Sequence, residues 1–474
     1  MIKEFDIVIV GSGVGGSSTA SRAAENGLKV LIVDIGPSDQ PREVREIDVS
    51  FVVNGNVKNI KVPAVQGQGG NSSIYGGHLT RFPEHYWNES SLFHIPINHK
   101  KIQVYYDELI QKFNINSLKF TKSEEKIKNK FYDSGFTSEN ILWAVSNQPN
   151  CNGCGGTYCL KNCKKDFFNV LCAPLISANR LTYWADSVVT NVTSSDHSYS
   201  IIKINKSGED VILLAKCIVF SCGSLATPIE IIRLFGDRLN YDFKKNIGRR
   251  MMFHISDFFL IIPKFPVFGK SRSKLLCSSE ECFGTDGDHV RYSVQSVGAE
   301  LSGHTIFRYL KRRYANFLNK YTLLRKPLLV ISHFVAIIFS KAHIIATIIE
   351  DAPSLTNFQV LNSNPLQVKY NLPQAFIYTC RQINKSIKFK LSSSFFVFQF
   401  GGDLNLNFGH ALGGMSMGIS SSFPVDQDCK VRGLNNIFVC DASILPRSAS
   451  TNPSLTIASL GYHTADCILK LLKK

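Results

Sequence analysis

Residues Phe5–Gly36 read FDIVIVGSGVGGSSTASRAAENGLKVLIVDIG, and this stretch decides the fold. DIVIV is a β-branched apolar run, the kind that makes a strand buried on both faces of a parallel sheet. Gly11, Gly13 and Gly16 then form G-x-G-x-x-G. In such a loop the first glycine permits a tight turn and the second lets a pyrophosphate approach the backbone. The third lets the following helix pack closely on the strand. STASRAAENG predicts a helix ending at Gly27, and LKVLIVD predicts a second strand closed by Asp34, whose carboxylate can accept hydrogen bonds from a ribose hydroxyl. Strand, glycines, helix, strand and acid occur in order, which points to a dinucleotide-binding α/β unit. The alternative is a glycine-rich turn in an unrelated α/β unit. The motif does not by itself separate NAD from FAD.

The chain has 474 residues, too many for one simple core, so two domains or one large interleaved architecture are expected. Apolar residues make up 44% and charged residues 19%, a globular rather than a disordered balance. The net charge of +16 suits an anionic membrane surface, an acidic partner or nucleic acid, or simply a basic surface with no specific partner. No RNA-recognition signature and no Cys/His finger is visible, so no nucleic-acid partner is expected. The opening MIKEFDIVIVGSG runs directly into a strand, without an apolar signal segment behind a basic start. With that start, thirteen cysteines are expected as reduced thiols in the cytoplasm.

One stretch, KPLLVISHFVAIIFSKAHIIATIIE from Lys326 to Glu350, resembles a membrane segment. Lys341 and His343 interrupt it, so no apolar run reaches the roughly 18 residues of a spanning helix. A buried or interfacial helix is the expectation. It follows RYLKRRYANFLNKYTLLRK, Arg308–Lys326, which is basic with interleaved aromatics. Together they form a candidate peripheral contact with the inner membrane face. The alternative is a helical subdomain with a solvated basic face.

Three further blocks bring in a family. They are FGHALGGMSMG (Phe408–Gly418), NNIFVCDASILPRSASTNPSLTIASLGYHTADCIL (Asn435–Leu469) and IVFSCGSLATP (Ile218–Pro228), which contains Gly223. With the first motif they resemble the glucose–methanol–choline (GMC) oxidoreductases, FAD enzymes that oxidise alcohols; the resemblance extends over roughly half the chain. It implies an α/β fold: a Rossmann-like FAD-binding domain interleaved with an α+β substrate domain of sheet plus helices. The family pattern H-x-x-G-x-x-x-M-G matches His410, Gly413, Met417 and Gly418, which makes His410 the implied active-site base. The second active-site position matches Asn452, followed by Pro453. Asp441 and Ala442 fall where the family wraps the flavin, and NPSLTIASL where a helix N-terminus points at its ring. A helix N-terminus there would stabilise negative charge on the reduced ring. GQGGNSSIYGGHLTRF resembles the second flavin loop, with Gly69, Gly70, Asn71 and Ser72 as its core and Gly76 and Gly77 against the ring. Val189 falls where the family meets the adenine. His78 and His254 lie near flavin blocks as lesser candidates. Ala411 stands where many members have Pro, and GGMS replaces the common GTCR, which bears on substrate choice.

The implied chemistry moves a hydride from a CH–OH carbon to flavin N5 while a neutral histidine removes the hydroxyl proton. The FAD-binding domain is expected over 1–87, 151–257 and 401–474, and the substrate domain over 88–150 and 258–400. In the latter, QVYYDELIQKF and SEEKIKNKFYDSGF predict helices, and NFQVLNSNPLQVKYNLP predicts strands joined by a polar turn.

CNGCGGTYCLKNC places Cys151, Cys154, Cys159 and Cys163 within thirteen residues. A GMC subset, bacterial sugar dehydrogenases that pass electrons to a partner, binds a three-iron cluster at C-x4-C-x3-C, which the last three match. The usual tail after the motif is altered here to CKKDFF. Thiolates with nearby lysines and flexible glycines suit an iron–sulfur cluster or zinc; a loop of thiols or disulfides is the third reading. The expected function is FAD-dependent oxidation of a sugar or glycoside alcohol with a redox partner. A long-chain alcohol or sterol, an oxidase, and a flavoprotein subunit without catalysis are the alternatives.

Overall fold

A computed structural model describes the chain except residues 1, 38–43, 89–94, 96, 116–119, 147–158, 160–162, 196–198, 268–274, 284–289, 298–305, 308–309, 312–313, 339–341, 401–403, 405 and 474. Two sheets organise it, each with its own core. The first has the order Thr182–Trp184, Val30–Val33, Lys3–Val10, Glu209–Phe220, Tyr199–Lys206, Ser187–Ser195. Lys3–Val10 runs parallel between Val30–Val33 and Glu209–Phe220, so that Val10 pairs with both Val33 and Phe220. The long strand Glu209–Phe220 changes partner on its other edge. Its first half pairs antiparallel with Tyr199–Lys206, and its last three residues pair parallel with Ile437–Val439. Ile7, Val8, Ile9, Leu31 and Ile32 are fully buried, as a strand covered on both faces requires. The helix Val14–Glu25 crosses the C-terminal helix Ser454–Leu472 at small residues: a Cβ on Gly461 would stand 2.7 Å from Ser18 Cβ and 3.0 Å from the Gly15 carbonyl oxygen.

The second sheet has twelve strands among the described residues. Its centre is Arg249–Ile255, paired antiparallel with Leu406–Gly414, Phe358–Val360 and His343–Ile349. The helix Gln374–Ser392 buries Cys380, Ile383, Ile387 and Leu391, one face at three- and four-residue spacing, in this sheet's core.

The sheets divide the chain differently from its linear blocks. The hairpin Val44–Val53/Asn56–Val65, inside 1–87, joins the second sheet through Leu366–Tyr370, and Arg249–Ile255 and Leu406–Gly414 also belong there. Conversely, His99–Phe113, inside 88–150, buries Ile102, Tyr105, Tyr106, Leu109 and Phe113 in the first core. The apolar stretch expected as one helix is split into a helix Arg325–Ile338 and a strand His343–Ile349. The break falls where Lys341 and His343 interrupt the apolar run, and the β-branched HIIATII beyond it pairs with three strands. Among the described residues no helix is long and apolar enough to cross a membrane.

Candidate active site

The three glycines of the first loop take separate roles. Gly11 has φ +99°, and a Cβ there would stand 2.5 Å from the Ser221 carbonyl oxygen; a Cβ on Gly16 would meet the Gly11 carbonyl oxygen at 2.1 Å. Gly13 faces space, with its nearest neighbour at 3.8 Å, and Gly223 has nothing within 4 Å. Gly13 is also the N-cap of the helix Val14–Glu25 and offers no side chain to its first N–H groups. Open space before uncapped amides is what a pyrophosphate needs, so these residues fit the FAD expected here.

Asp34, expected on a ribose hydroxyl, ties loops together. Its Oδ2 accepts from Ser12 N at 2.9 Å and Ser12 Oγ at 2.5 Å, while Oδ1 accepts from Gly36 N and Gly67 N at 2.9 Å each. Gly70 brings the second loop against the first, since its Cβ would stand 3.3 Å from Gly13 Cα. Gly69 has φ +81°, Ser72 Oγ donates to the Gly69 carbonyl, and Asn71 Oδ1 accepts from Val65 N, so this core holds its own turn. Gly76 and Gly77 lie against Trp143, whose Nε1 donates to the Gly76 carbonyl at 2.9 Å. Asp441 receives Gly223 N, Thr227 Oγ1 and Ser443 N and is buried, which raises its pKa. It therefore fixes the Gly223 turn beside the cradle, and Ala442 begins the short turn Ala442–Ile444. Val189 is buried, and its carbonyl accepts from Arg233 Nη2 at 2.6 Å.

The second sheet delivers His410. Pairing between Arg249–Ile255 and Leu406–Gly414 jumps from Phe253–Ala411 to His254–Asn407. Residues 408–410 therefore stand opposite a single step of the partner strand, and this bulge re-aims His410. Its Nδ1 meets His254 Nδ1 at 2.9 Å, with the rings edge to face, and its Nε2 lies 3.4 Å from Asn452 Nδ2. Asn452 Oδ1 lies 3.3 Å from His78 Nδ1. With the Asn452 amide in this orientation the donors run one way. His78 Nδ1 donates to Asn452 Oδ1, Asn452 Nδ2 to His410 Nε2, and His410 Nδ1 to His254 Nδ1. His410 thus presents a lone pair at Nε2 on the Asn452 side. Burial pushes its pKa down to about 4, and burial followed by the neighbouring His410 holds His254 well below the usual imidazole range. Both rings are neutral near pH 7, so one proton lies between the two Nδ1 atoms.

Pro453 leads into the helix Ser454–Leu472, whose first turn has no side-chain cap, and Ser454 Oγ donates to the His78 carbonyl at 3.1 Å. His254 and His78 are thus parts of the site that the motifs left as lesser candidates; a histidine inside the apolar run MMFHISDFF was the signal for the first. Asp351 was not singled out. It is buried, accepts from Phe253 N at 3.0 Å and from Tyr370 Oη, and fixes the strand one residue before His254.

Cys151 and Cys154 lie outside the described residues. Cys159 and Cys163 are buried with sulfur atoms 3.2 Å apart, beyond the S–S bond length of about 2.05 Å, and they pack with Val145 and Trp143. The cysteine pair therefore reaches the His78 loop through Trp143.

Residues 397–461 match the family model described as GMC oxidoreductase, and residues 6–40 match the FAD binding domain. Two solved structures share the fold. A variant of the formate oxidase of Aspergillus oryzae RIB40 is 13% identical over 99% of both chains, with a TM-score of 0.69. The pyridoxine 4-oxidase from Mesorbium loti is 13% identical over 98% of both, with a TM-score of 0.62. No curated protein matches in sequence. Residues 397–461 thus match the C-terminal domain of the GMC oxidoreductases and residues 6–40 an FAD-binding segment, on a fold that the chain shares end to end with two solved oxidases.

Proposed function

We propose that the chain oxidises a primary or secondary alcohol to the carbonyl compound, with His410 as the base and Asn452 orienting the hydroxyl. The observation that carries this is the junction of His410 Nε2 and Asn452 Nδ2, with a neutral imidazole held from behind by His254. Bound FAD supplies the acceptor for the hydride. Gly11, Gly13, Gly16 and Gly223 would hold its pyrophosphate region, with the Gly69–Ser72 turn and the first turn of Ser454–Leu472 around it. The chain's own part is positional and protonic. Asn452 holds the hydroxyl near His410, His410 Nε2 accepts its proton, and the His410 Nδ1 proton stays bonded to His254.

The substrate class that fits best is a sugar or glycoside, with electrons leaving through the cysteine loop to a partner. Supporting it is the contact of Cys159 and Cys163 with Trp143, which is bonded to the His78 loop. An iron–sulfur centre on Cys151, Cys154, Cys159 and Cys163 would provide the exit; zinc there would make the loop a structural clasp. A second reading, a lipophilic alcohol met at a membrane face by a cytoplasmic enzyme, is favoured by the exposed apolar helix Arg325–Ile338. Anaerobic flavin bleaching against sugars, glycosides and long-chain alcohols tests both. His410→Ala should abolish bleaching at unchanged flavin content. Bleaching at the wild-type rate in that variant would remove His410 as base. Iron, sulfide and zinc per flavin decide the cysteine loop.

A further inference from the structure

We propose that the helix Arg325–Ile338 is a docking surface for an anionic lipid bilayer and lies flat in its headgroup region. This gives the membrane contact proposed above a place and a lipid chemistry, and it holds whichever alcohol is oxidised. One side of the helix is turned inward. Ser332 there is buried, its hydroxyl bonded to the Leu328 carbonyl one turn back in the same helix, and at the helix start Arg325 Nε donates to the Leu318 carbonyl of the preceding segment at 3.0 Å. The opposite face carries Val330, Ile331, Phe334 and Ile337, which are 62%, 56%, 68% and 70% exposed. Their spacing of i, i+1, i+4 and i+7 places them on one stripe. Leu323, just before the helix, is 89% exposed. Apolar side chains exposed singly are normal on a soluble surface, but four on adjacent turns are a patch that water disfavours.

The charge around the stripe selects the occupant. Residues 308–349 contain eight Lys and Arg and no Asp or Glu, and Lys311, Lys320 and Lys326 are exposed. A second copy of the chain docking on the same stripe would bring these basic flanks together, whereas anionic headgroups complement them. At about 1.5 Å per residue the helix is roughly 21 Å long, short of the ~30 Å hydrocarbon core, so it lies on the membrane rather than through it. The strand His343–Ile349 is the next described element along the chain, and its Ile349 pairs with Ile255 beside His254. Docking therefore sets the sheet that carries the site close to the lipid.

The test is co-sedimentation of the flavin-loaded full chain with phosphatidylcholine vesicles, with and without phosphatidylglycerol, at low and high salt. Binding to the anionic vesicles should be at least ~10-fold tighter and should weaken with salt. The triple variant Ile331→Gln, Phe334→Gln, Ile337→Gln should lose ~10-fold or more of that binding. The pair Lys320→Glu, Lys326→Glu should lose the preference for phosphatidylglycerol, and it carries the test alone if the triple variant fails to retain flavin. Absence of wild-type binding to anionic vesicles, or equal binding by the variants, overturns the proposal. So does a wild-type dimer that the triple variant converts to a monomer, which would give the stripe to a second copy. Vesicle binding needs no turnover, and bleaching by a soluble alcohol needs no vesicles, so the docking surface and the proposed reaction fail separately.

Discussion

Replacing His254 by Leu should cost turnover without costing substrate affinity. His254 stands behind His410, Nδ1 to Nδ1 at 2.9 Å, on the side away from Asn452. In the resting enzyme this is a bond between neutral rings, worth about 1 kcal/mol. When His410 takes the hydroxyl proton, the same bond becomes charge-assisted, worth ~1.5–3 kcal/mol, because the His254 lone pair then faces a cation. Because the neutral bond is lost from the resting state as well, the barrier rises by the difference, ~0.5–2 kcal/mol, a fall in kcat of about 2- to 30-fold. KM should change little, because His254 acts through His410. The acid limb of kcat/KM should also move to lower pH, since the protonated base has lost its acceptor. His254→Asn, which sets an amide oxygen near the place of Nδ1, should recover part of the loss. Anaerobic stopped-flow flavin reduction on variants of equal flavin content measures it. Reduction by His254→Leu within about twofold of wild type would refute the argument. Equal losses in the Leu and Asn variants would reduce His254 to a packing residue.

In wild type, kcat/KM should be flat from about pH 5.5 to 7 and fall only near pH 4, because burial depresses the His410 pKa to about 4. The same shift has a stability consequence: the unfolded chain takes up this proton first, so the contribution of His410 is lost as pH falls from about 6.5 towards 4, read as a falling urea midpoint. Burial raises Asp351 to about 7. Its unfolded form loses the proton first, so stability drains as pH rises from about 4 through 7, and Asp351→Asn should flatten that part of the urea profile. Gly461→Val would press methyl groups on Ser18 and the Gly15 carbonyl, costing ~1–3 kcal/mol and flavin retention, measured by denaturation and bound-flavin absorbance.

The parts legible in the sequence are those whose constraints are local. Gly11, Gly13 and Gly16 each meet a backbone neighbour or an open space that a short motif already implies. His410 was legible because it sits in a long glycine-rich pattern. Its partner was harder to see: His254 reaches His410 only through a jump in strand register across 156 residues. Asp34 shows the limit of a motif. An acid closing the second strand was readable, but its engagement with Ser12, Gly36 and Gly67 depends on where the second loop returns. The hairpin Val44–Val65 was grouped with its sequence neighbours, and only its pairing with Leu366–Tyr370 places it in the other sheet.

The strand Glu209–Phe220 takes its last partner, Ile437–Val439, from more than two hundred residues downstream, and the helix Val14–Glu25 rests on Ser454–Leu472. During synthesis the nucleotide cradle therefore stays open along one edge until residues 437–439 have left the ribosome. Cofactor capture is then a late event in biogenesis, and a nascent chain stalled before residue 437 would display an unfinished apolar edge to chaperones and proteases.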